Sequence, residues 1–497
     1  MPSSDLRRPS DRNSMRHIHS LCVLAWLLPF GLMFGMGSPP AKAAEEATPL
    51  PLVPALPSPG DETLFSDPSA PFVSSAPFVS SEAWEQARPE ETGTLETGFE
   101  DGFFVRTKDD QFELRIRLME QTDFKLFLPD QEPARSGVYI PRFRSYFEGH
   151  VTRSFEYELS LQRSVEGTFD VLDANLNFSP NEAFQIKVGR FLVPYSYDWY
   201  DHLEQYFITP ERGLFPLNFG LSREAGAMVW GTVADERLQY ALGGFSGQLA
   251  GLADNNTARD AVGYVNLKPW IQRDDRPMLR NLNLGGSVAV GDQVVAGEPL
   301  PLRTSLQASE NDEAAQAASA VFLEFEDDVV LLGGRDQAAL HLAWYYKGLS
   351  LETEGQVGRF RYRTPTSQVS LPVSGYHVTT SYFVTGEEIT GRSVVKPLKP
   401  FDPAGGQWGT GALEPYARWS HLSLGKEIFE ADLADEHDWT RRVSLLDLGW
   451  NWYPNEFVKF YFDWQTSFYD TPILIKPEEG KRAKRGTLFW LRAQISF

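Results

Sequence analysis

Residues 485–497 read RGTLFWLRAQISF, and they alternate without a break. Phe489, Leu491, Ala493, Ile495 and Phe497 fall on one face, and Trp490, Arg492, Gln494 and Ser496 on the other. A period of two belongs to a β-strand and not to a helix. A strand ending a soluble sandwich would read the same way, so the rest of the chain decides which kind of sheet this is.

Working back from that segment, the same pattern recurs in stretches of roughly ten residues. In FELRIRL, Phe112, Leu114 and Ile116 oppose Glu113, Arg115 and Arg117. In RFRSYFEGHV, Phe143, Ser145, Phe147, Gly149 and Val151 oppose Arg142, Arg144, Tyr146, Glu148 and His150. FEYELSLQ sets Phe155, Tyr157, Leu159 and Leu161 against Glu156, Glu158, Ser160 and Gln162, and Asp173, Asn175, Asn177 and Lys187 continue the polar side. Hardly any polar face lacks charge, which suits strands standing between lipid and water.

The connections sort into two kinds. Short turns are expected at 152–154, 179–183, 234–237, 347–348 and 454–456, and longer links at 192–222, 292–335, 425–441 and 469–486. One short end and one long end is the habit of bacterial barrels, although links 269–280 and 386–410 fall on the short side and depart from it. The reading is therefore an all-β chain: a transmembrane antiparallel β-barrel of about sixteen strands, an even number that returns both ends to one side. AVFLEFED (320–327) is strand-like but sits inside the longest link, so the count stands open by about two. The aromatic runs WNWY (450–453) and YFDW (461–464) fit interfacial girdles, and the last strand, ending on Phe497, is expected to close the barrel against the first.

Composition agrees. Arg7, Arg8, Arg12 and Arg16 precede an apolar run from Leu21 to Met36, followed by small residues and Ala41-Lys42-Ala43, the three-part pattern of a secretory signal peptide over 1–43. A bare membrane anchor fits less well, because the run is short and broken by Pro29. The single cysteine, Cys22, lies inside that segment, so the exported chain needs no disulfides. Residues 1–43 carry five Lys/Arg and two Asp/Glu, and without them the formal charge moves from −21 to −24, which excludes nucleic acid as a partner. Residues 44–98, rich in Pro, Ser, Ala and Glu and containing APFVSSAPFVSS, read as an extended periplasmic linker, and 99–497 as the barrel. Phe72 and Phe78, in matching places, offer a docking motif as the alternative to a plain spacer.

The stretch IKVGRFLVPYSYDWYDHLEQYFITPERGLFPLNFGLSREAGAMVWG (186–231) makes the pattern specific. With GYHVTTSYFVTGE (375–387), GALEPYARWSHLSL (411–424), LGWNWYPNEFVKFYFDW (448–464) and LRAQISF (491–497), it resembles the phosphate-selective porin O and P family over nearly all of 99–497. The resemblance implies a homotrimer of sixteen-stranded barrels in the outer membrane, passive and without cofactor or metal. Each barrel would be narrowed by a third external loop folded inward, here 192–222. It further implies that small solutes, phosphate or other anions among them, meet basic side chains on the wall: Arg115, Arg117, Arg142, Arg144, Lys187 and Arg492, with Arg212 in the loop. A narrow pore strips water from a phosphate, and Arg or Lys hydrogen bonds replace it.

The residues match that scheme in part. Glu148, Glu156, Glu158 and Asp173 share the inner face, and the loop holds Tyr195, Asp198, Asp201, His202, Glu204 and Glu211 with no lysine. Each arginine therefore has a second reading, as a partner of neighbouring carboxylates that stabilises the wall. Glu211-Arg212 reads as a local ion pair pinning the loop. The acids of 309–313 and 430–438 read as solvated external charge rather than cation sites. Three functions follow: an anion- or phosphate-preferring channel, a general or differently specific porin, and a structural barrel tethering the envelope, with cell-wall contact through the linker. An enzyme is not expected, since the six histidines beyond the leader, at 150, 202, 341, 377, 421 and 437, lie in no catalytic motif.

Overall fold

The computed structural model describes residues 95–132, 134–163, 169–247, 259–294, 299–305 and 319–497. The expectations for the leader and for nearly all of the linker lie outside these. The chain starts with a hairpin, β1 (Leu95–Phe99) and β2 (Phe103–Thr107), whose first residues fall at the end of the stretch assigned to the linker. Nine barrel strands follow: β3 (Glu113–Leu128), β4 (Gly137–Thr152), β5 (Phe155–Arg163), β6 (Phe169–Asn181), β7 (Phe184–Leu192), β8 (Arg223–Val233), β9 (Leu238–Phe245), β10 (Asp260–Leu267) and β11 (Asn281–Val294). A short pair, β12 (Leu302–Arg303) with β13 (Val321–Leu323), lies in the next link. The barrel resumes with β14 (Val330–Tyr346), β15 (Leu349–Arg363) and β16 (Gln368–Tyr382). After a second small pair, β17 (Phe401–Asp402) with β18 (Gln407–Trp408), it ends with β19 (Ala412–Leu424), β20 (Arg442–Tyr453), β21 (Val458–Lys476) and β22 (Lys481–Ser496).

Each barrel strand pairs antiparallel with the next, and β22 returns to β3 from Ser496 opposite Met119 to Thr487 opposite Leu128. The sheet is thus a closed barrel of 16 strands, which leaves no edge within the wall. AVFLEFED adds no barrel strand: its β13 pairs only with β12, inside the link. Where β22 ends, Phe497 still exchanges backbone hydrogen bonds with Leu118, and β2 then takes up the same edge of β3 from Ile116 to Glu113. The Phe497 ring meets Phe103 at 5.7 Å and Phe99 at 6.0 Å, and Phe99 also meets Phe457.

The alternation of apolar and polar residues maps onto outside and inside as expected. Leu126, Val188, Leu242, Val290, Leu340 and Phe489 are exposed on the outer face, while Asp123, Asn177, Glu354 and Arg492 are buried on the inner one. Among the described residues no helix is long and apolar enough to cross a membrane. One link differs from expectation. Residues 469–486 are not a long loop, because β21 and β22 continue to a tight turn at Pro477–Glu479. The physical reason is that Ile473 and Ile475 keep the inward parity and bury against an apolar cluster inside the long-loop end. That cluster joins Phe215 and Phe219 of the 193–222 link to Phe322, Phe360, Leu371 and Leu433.

Candidate channel constriction

The link after β7 turns into the barrel at once. Pro194 cannot extend the strand's hydrogen bonding, and Ser196 takes a left-handed φ of 70° that reverses the chain. The helical turn α1 (Tyr197–Tyr200) is then tied to the wall by Glu354 of β15, whose carboxylate accepts from Tyr197 N and Ser196 Oγ, each at 2.9 Å. A 3-10 turn (Glu204–Tyr206) and the helix α2 (Leu214–Phe219) follow. Gly220 and Gly375 are required where this loop packs closest: a Cβ on Gly220 would strike the Trp199 indole, and one on Gly375 would lie 2.9 Å from Phe215 Cβ.

The central span of the loop is attached carbonyl by carbonyl. Gln494 donates to the Gln205 carbonyl at 3.0 Å, Arg392 to Tyr206 at 3.2 Å, Lys459 to Phe207, and Asn451 to Ile208 at 2.8 Å. Arg492 donates to Pro210 and Arg418 to Glu211. Six carbonyls within seven residues are therefore held, five of them by side chains of β19 to β22 and one by Arg392 from the 383–411 link. An extended segment crossing a barrel has no strand partner, so its backbone acceptors need side-chain donors.

Carboxylates complete the attachment. Arg142 holds Glu211 with two bonds, at 2.8 and 2.9 Å, and Arg492 reaches the same carboxylate at 3.1 Å while binding Asp123 at 2.6 and 2.9 Å. Arg144 pairs with Glu204 at 2.9 Å. Arg212 stacks between Trp199 (3.8 Å) and Phe207 (4.5 Å) and pairs with Asp198 at 3.7 Å and Glu204 at 3.8 Å. Burial alone would raise the Glu211 carboxyl, but the charges of Arg142 and Arg492 outweigh it and hold it at about 2. Glu204 is likewise pulled well below the carboxylate range against its burial, by Arg144 first.

The residues singled out in the sequence thus separate. Arg142, Arg144, Arg212 and Arg492 are buried and bonded to carboxylates of the loop or wall. Glu204 and Glu211 are their partners. Tyr195 is fully buried at the root of the loop, Asp201 accepts from Tyr264 Oη, and His202 packs on Tyr197 at 4.7 Å with Nδ1 3.9 Å from Glu352. Asp201 is raised by burial, which its bond from Tyr264 only partly offsets.

Three others lie nearer the short-turn end and half-exposed. Arg115 pairs with Glu113 at 3.0 Å and Arg117 with Glu148 at 2.9 Å. Lys187 has no ion pair among the described residues and lies 5.6 Å from the Trp230 ring. On the same side of the loop a cavity of about 950 Å³ opens, lined by Tyr197, Asp201 and His202 of the loop with Asn266, Asn283 and Arg392. Sequence reasoning overlooked Arg392, Arg418, Asn451 and Lys459. The last three had a visible signal, being polar residues on the inward parity of strongly alternating strands.

Further ion pairs brace the inner wall: Arg223 with Asp173 at 3.0 Å and Arg335 with Glu224 at 2.8 Å, while Arg418, which also holds the loop, pairs with Asp447 at 2.9 Å. Most of the buried arginines on this wall stand next to a carboxylate. Such an arrangement binds a loop rigidly and leaves little unneutralised field for a passing ion. Among the described residues no cluster of three or more His, Cys, Asp or Glu is placed to hold a metal ion.

Comparison with known proteins gives one family match. A family model described as phosphate-selective porin O and P matches residues 112–471. Among solved structures, the chain is similar to outer-membrane expressed OmpT of Vibrio cholerae, with 9% identity, a TM-score of 0.46, and 79% of this chain and 100% of that one covered. It is also similar to an anion-selective porin from Comamonas acidovorans (13% identity, TM-score 0.46, 77% and 99% covered). The outer membrane channel DcaP of Acinetobacter baumannii is a third, at 10% identity and TM-score 0.45, with 80% and 99% covered. No curated protein matches.

Proposed function

The chain belongs to the phosphate-selective porin O and P family, and from that premise we propose that it is a weakly charge-selective channel whose inward arginines fasten the constriction loop. Its general role is an outer-membrane channel for passive diffusion of small hydrophilic solutes. The finer reading is that phosphate preference does not reside in Arg142, Arg144, Arg212 and Arg492. The observation that carries it is the bonding of these guanidinium groups to Asp123, Glu204, Glu211 and the loop carbonyls. A guanidinium already held by a carboxylate has to break that bond before it replaces the hydration of a passing phosphate.

In this reading the chain is exported by its leader, 1–43, and three copies assemble in the outer-membrane lipid. Contact with the cell wall is assigned to the Pro-rich segment 44–98, and transport needs no cofactor. A channel rather than an enzyme is also what the charge pattern favours, since its strongest groups are locked into structural pairs.

Planar-bilayer recording tests the selectivity. Under a tenfold gradient of potassium chloride the reversal potential is expected near zero, and replacing chloride by phosphate is expected to leave it there. A strongly anionic potential, increased in phosphate and abolished by Arg142→Gln, would overturn the reading.

A further inference from the structure

Among the strand faces turned away from the lumen, that of β15 changes character along its length. Its outward positions run Leu349, Leu351, Thr353, Gly355, Val357, and then Arg359, Arg361 and Arg363. All three arginines are exposed, and none has an ion-pair or hydrogen-bond partner among the described residues. Two other outward arginines at this end, on β20 and β22, are engaged: Arg442 pairs with Asp470 at 3.8 Å, and Arg485 lies 5.4 Å from the Phe468 ring.

The neighbours of the three leave them open. Arg359 stands between Asp336 and Pro372, Arg361 beside Ser370, and Arg363 between Val330 and Gln368. Asp336 is the one carboxylate among these, and it makes no ion pair among the described residues, so the patch keeps a clear positive excess. Gly333 and Gly334 of β14 form a bare floor under Arg361, where a Cβ on Gly334 would come within 2.9 Å of its Nη1.

Height decides what such a patch meets. With a rise of about 3.3 Å and a tilt of about 40°, each residue climbs about 2.5 Å, so an apolar band of about 25 Å takes about ten residues to cross. Leu349 pairs with Tyr346 and Tyr382, and Trp344 and Tyr346 stack at 6.3 Å, an aromatic level that marks the band's lower edge. Ten residues on is Arg359, at the upper edge. Arg361 and Arg363 then lie about 5 and about 10 Å beyond, at headgroup depth.

We propose that Arg359, Arg361 and Arg363 form a docking site for the phosphate-bearing headgroup of an outer-leaflet lipid. Three guanidinium forks two residues apart, on one strand face and without internal acceptors, match the several oxygens of a phosphorylated headgroup. An uncharged headgroup offers no comparable partner. The site lies on the outside of the wall and is independent of the solute reading.

The test uses the full chain in a non-ionic detergent and three probes: bisphosphorylated lipid A, the same lipid stripped of phosphate, and inorganic phosphate. Binding is followed by native mass spectrometry. R359Q/R361Q/R363Q is expected to weaken the bisphosphorylated lipid by about a hundredfold, roughly fivefold for each arginine. The stripped lipid should bind both proteins equally and weakly, and single-channel conductance should not change. Should the triple variant fail to fold, Arg361→Gln alone is expected to give the fivefold loss, and Arg361→Lys to recover most of it. Unaltered affinity in the variants, equal binding of the two lipids, or equal competition by inorganic phosphate would each overturn the assignment. So would dissociation of the variant into monomers that still bind the lipid, since the patch would then be a subunit contact.

Discussion

Replacing Glu211 by Gln removes one negative charge from the point where the loop meets β4 and β22 while keeping the side chain's shape. In the wild type that carboxylate receives two bonds from Arg142 and one from Arg492. Arg492 retains Asp123, but Arg142 keeps only Gln121 and a neutral amide. Holding the carboxyl at about 2, against about 4.3 in an unfolded chain, corresponds to about 3 kcal/mol. That agrees with the roughly 3–5 kcal/mol lost when one partner of a buried pair is removed. About 3 kcal/mol multiplies the undocked population of the loop by about a hundred. Hydrogen exchange is the assay: the amides of residues 205–212 are expected to exchange about a hundredfold faster in Glu211→Gln, while those of the wall strands do not change. Single-channel traces should gain brief conductance steps, and the reversal potential should move toward anions. Exchange within about threefold of wild type, with a steady conductance, would refute the view that this pair anchors the loop.

The same group sets a pH dependence. Its folded pKa is depressed, so its contribution is fully present above about pH 4.3 and disappears as pH falls through about 2; wild-type channels should become unsteady in that window, and Glu211→Gln should show no such transition. Lys187, without an ion pair, is expected to influence permeating ions more than the paired Arg117, so Lys187→Gln should shift the reversal potential toward cations further than Arg117→Gln in the same bilayer experiment. Phe497→Ala removes ring contacts to Phe99 and Phe103 and should lower stability by about 2 kcal/mol, read as a lower temperature at which the folded barrel loses its compact mobility on unheated gels.

The wall of this barrel was legible in the sequence because its signal is local. Phe489, Leu491, Ala493 and Ile495 alternate with Trp490, Arg492 and Gln494 whatever lies across the lumen, so parity alone separates outside from inside. The turn at 477–479 was not legible, because the strand's continuation depends on Ile473 and Ile475 meeting Leu433 and Tyr469, contacts set by tertiary packing. The role of each inward arginine was open for a similar reason. Arg142 and Arg115 read alike in the sequence, yet one faces a loop carboxylate and is buried while the other pairs with Glu113 beside it near the short-turn end. In the carbonyl ladder from Gln205 to Glu211 only the donors leave a trace, as inward polar residues such as Asn451 and Lys459, while the acceptors have no sequence signature because they are backbone.

That ladder explains why cationic donors of the inner wall converge on so acidic a loop. A segment that enters a barrel without joining its sheet leaves its carbonyls without strand partners, each costing about 1–3 kcal/mol if buried unbonded. Cationic donors on the wall satisfy them, but a buried cation itself needs a counter-charge. Asp123 beside Arg492, Asp447 beside Arg418 and Glu414 beside Arg392 supply it from the wall, and Glu204 and Glu211 from the loop. The acids of the loop and the arginines of the wall are therefore one structural device. Neutralising the acids to favour anions would loosen the constriction that selects them, so in this chain selectivity has to be altered at half-exposed positions such as Lys187, which hold nothing in place.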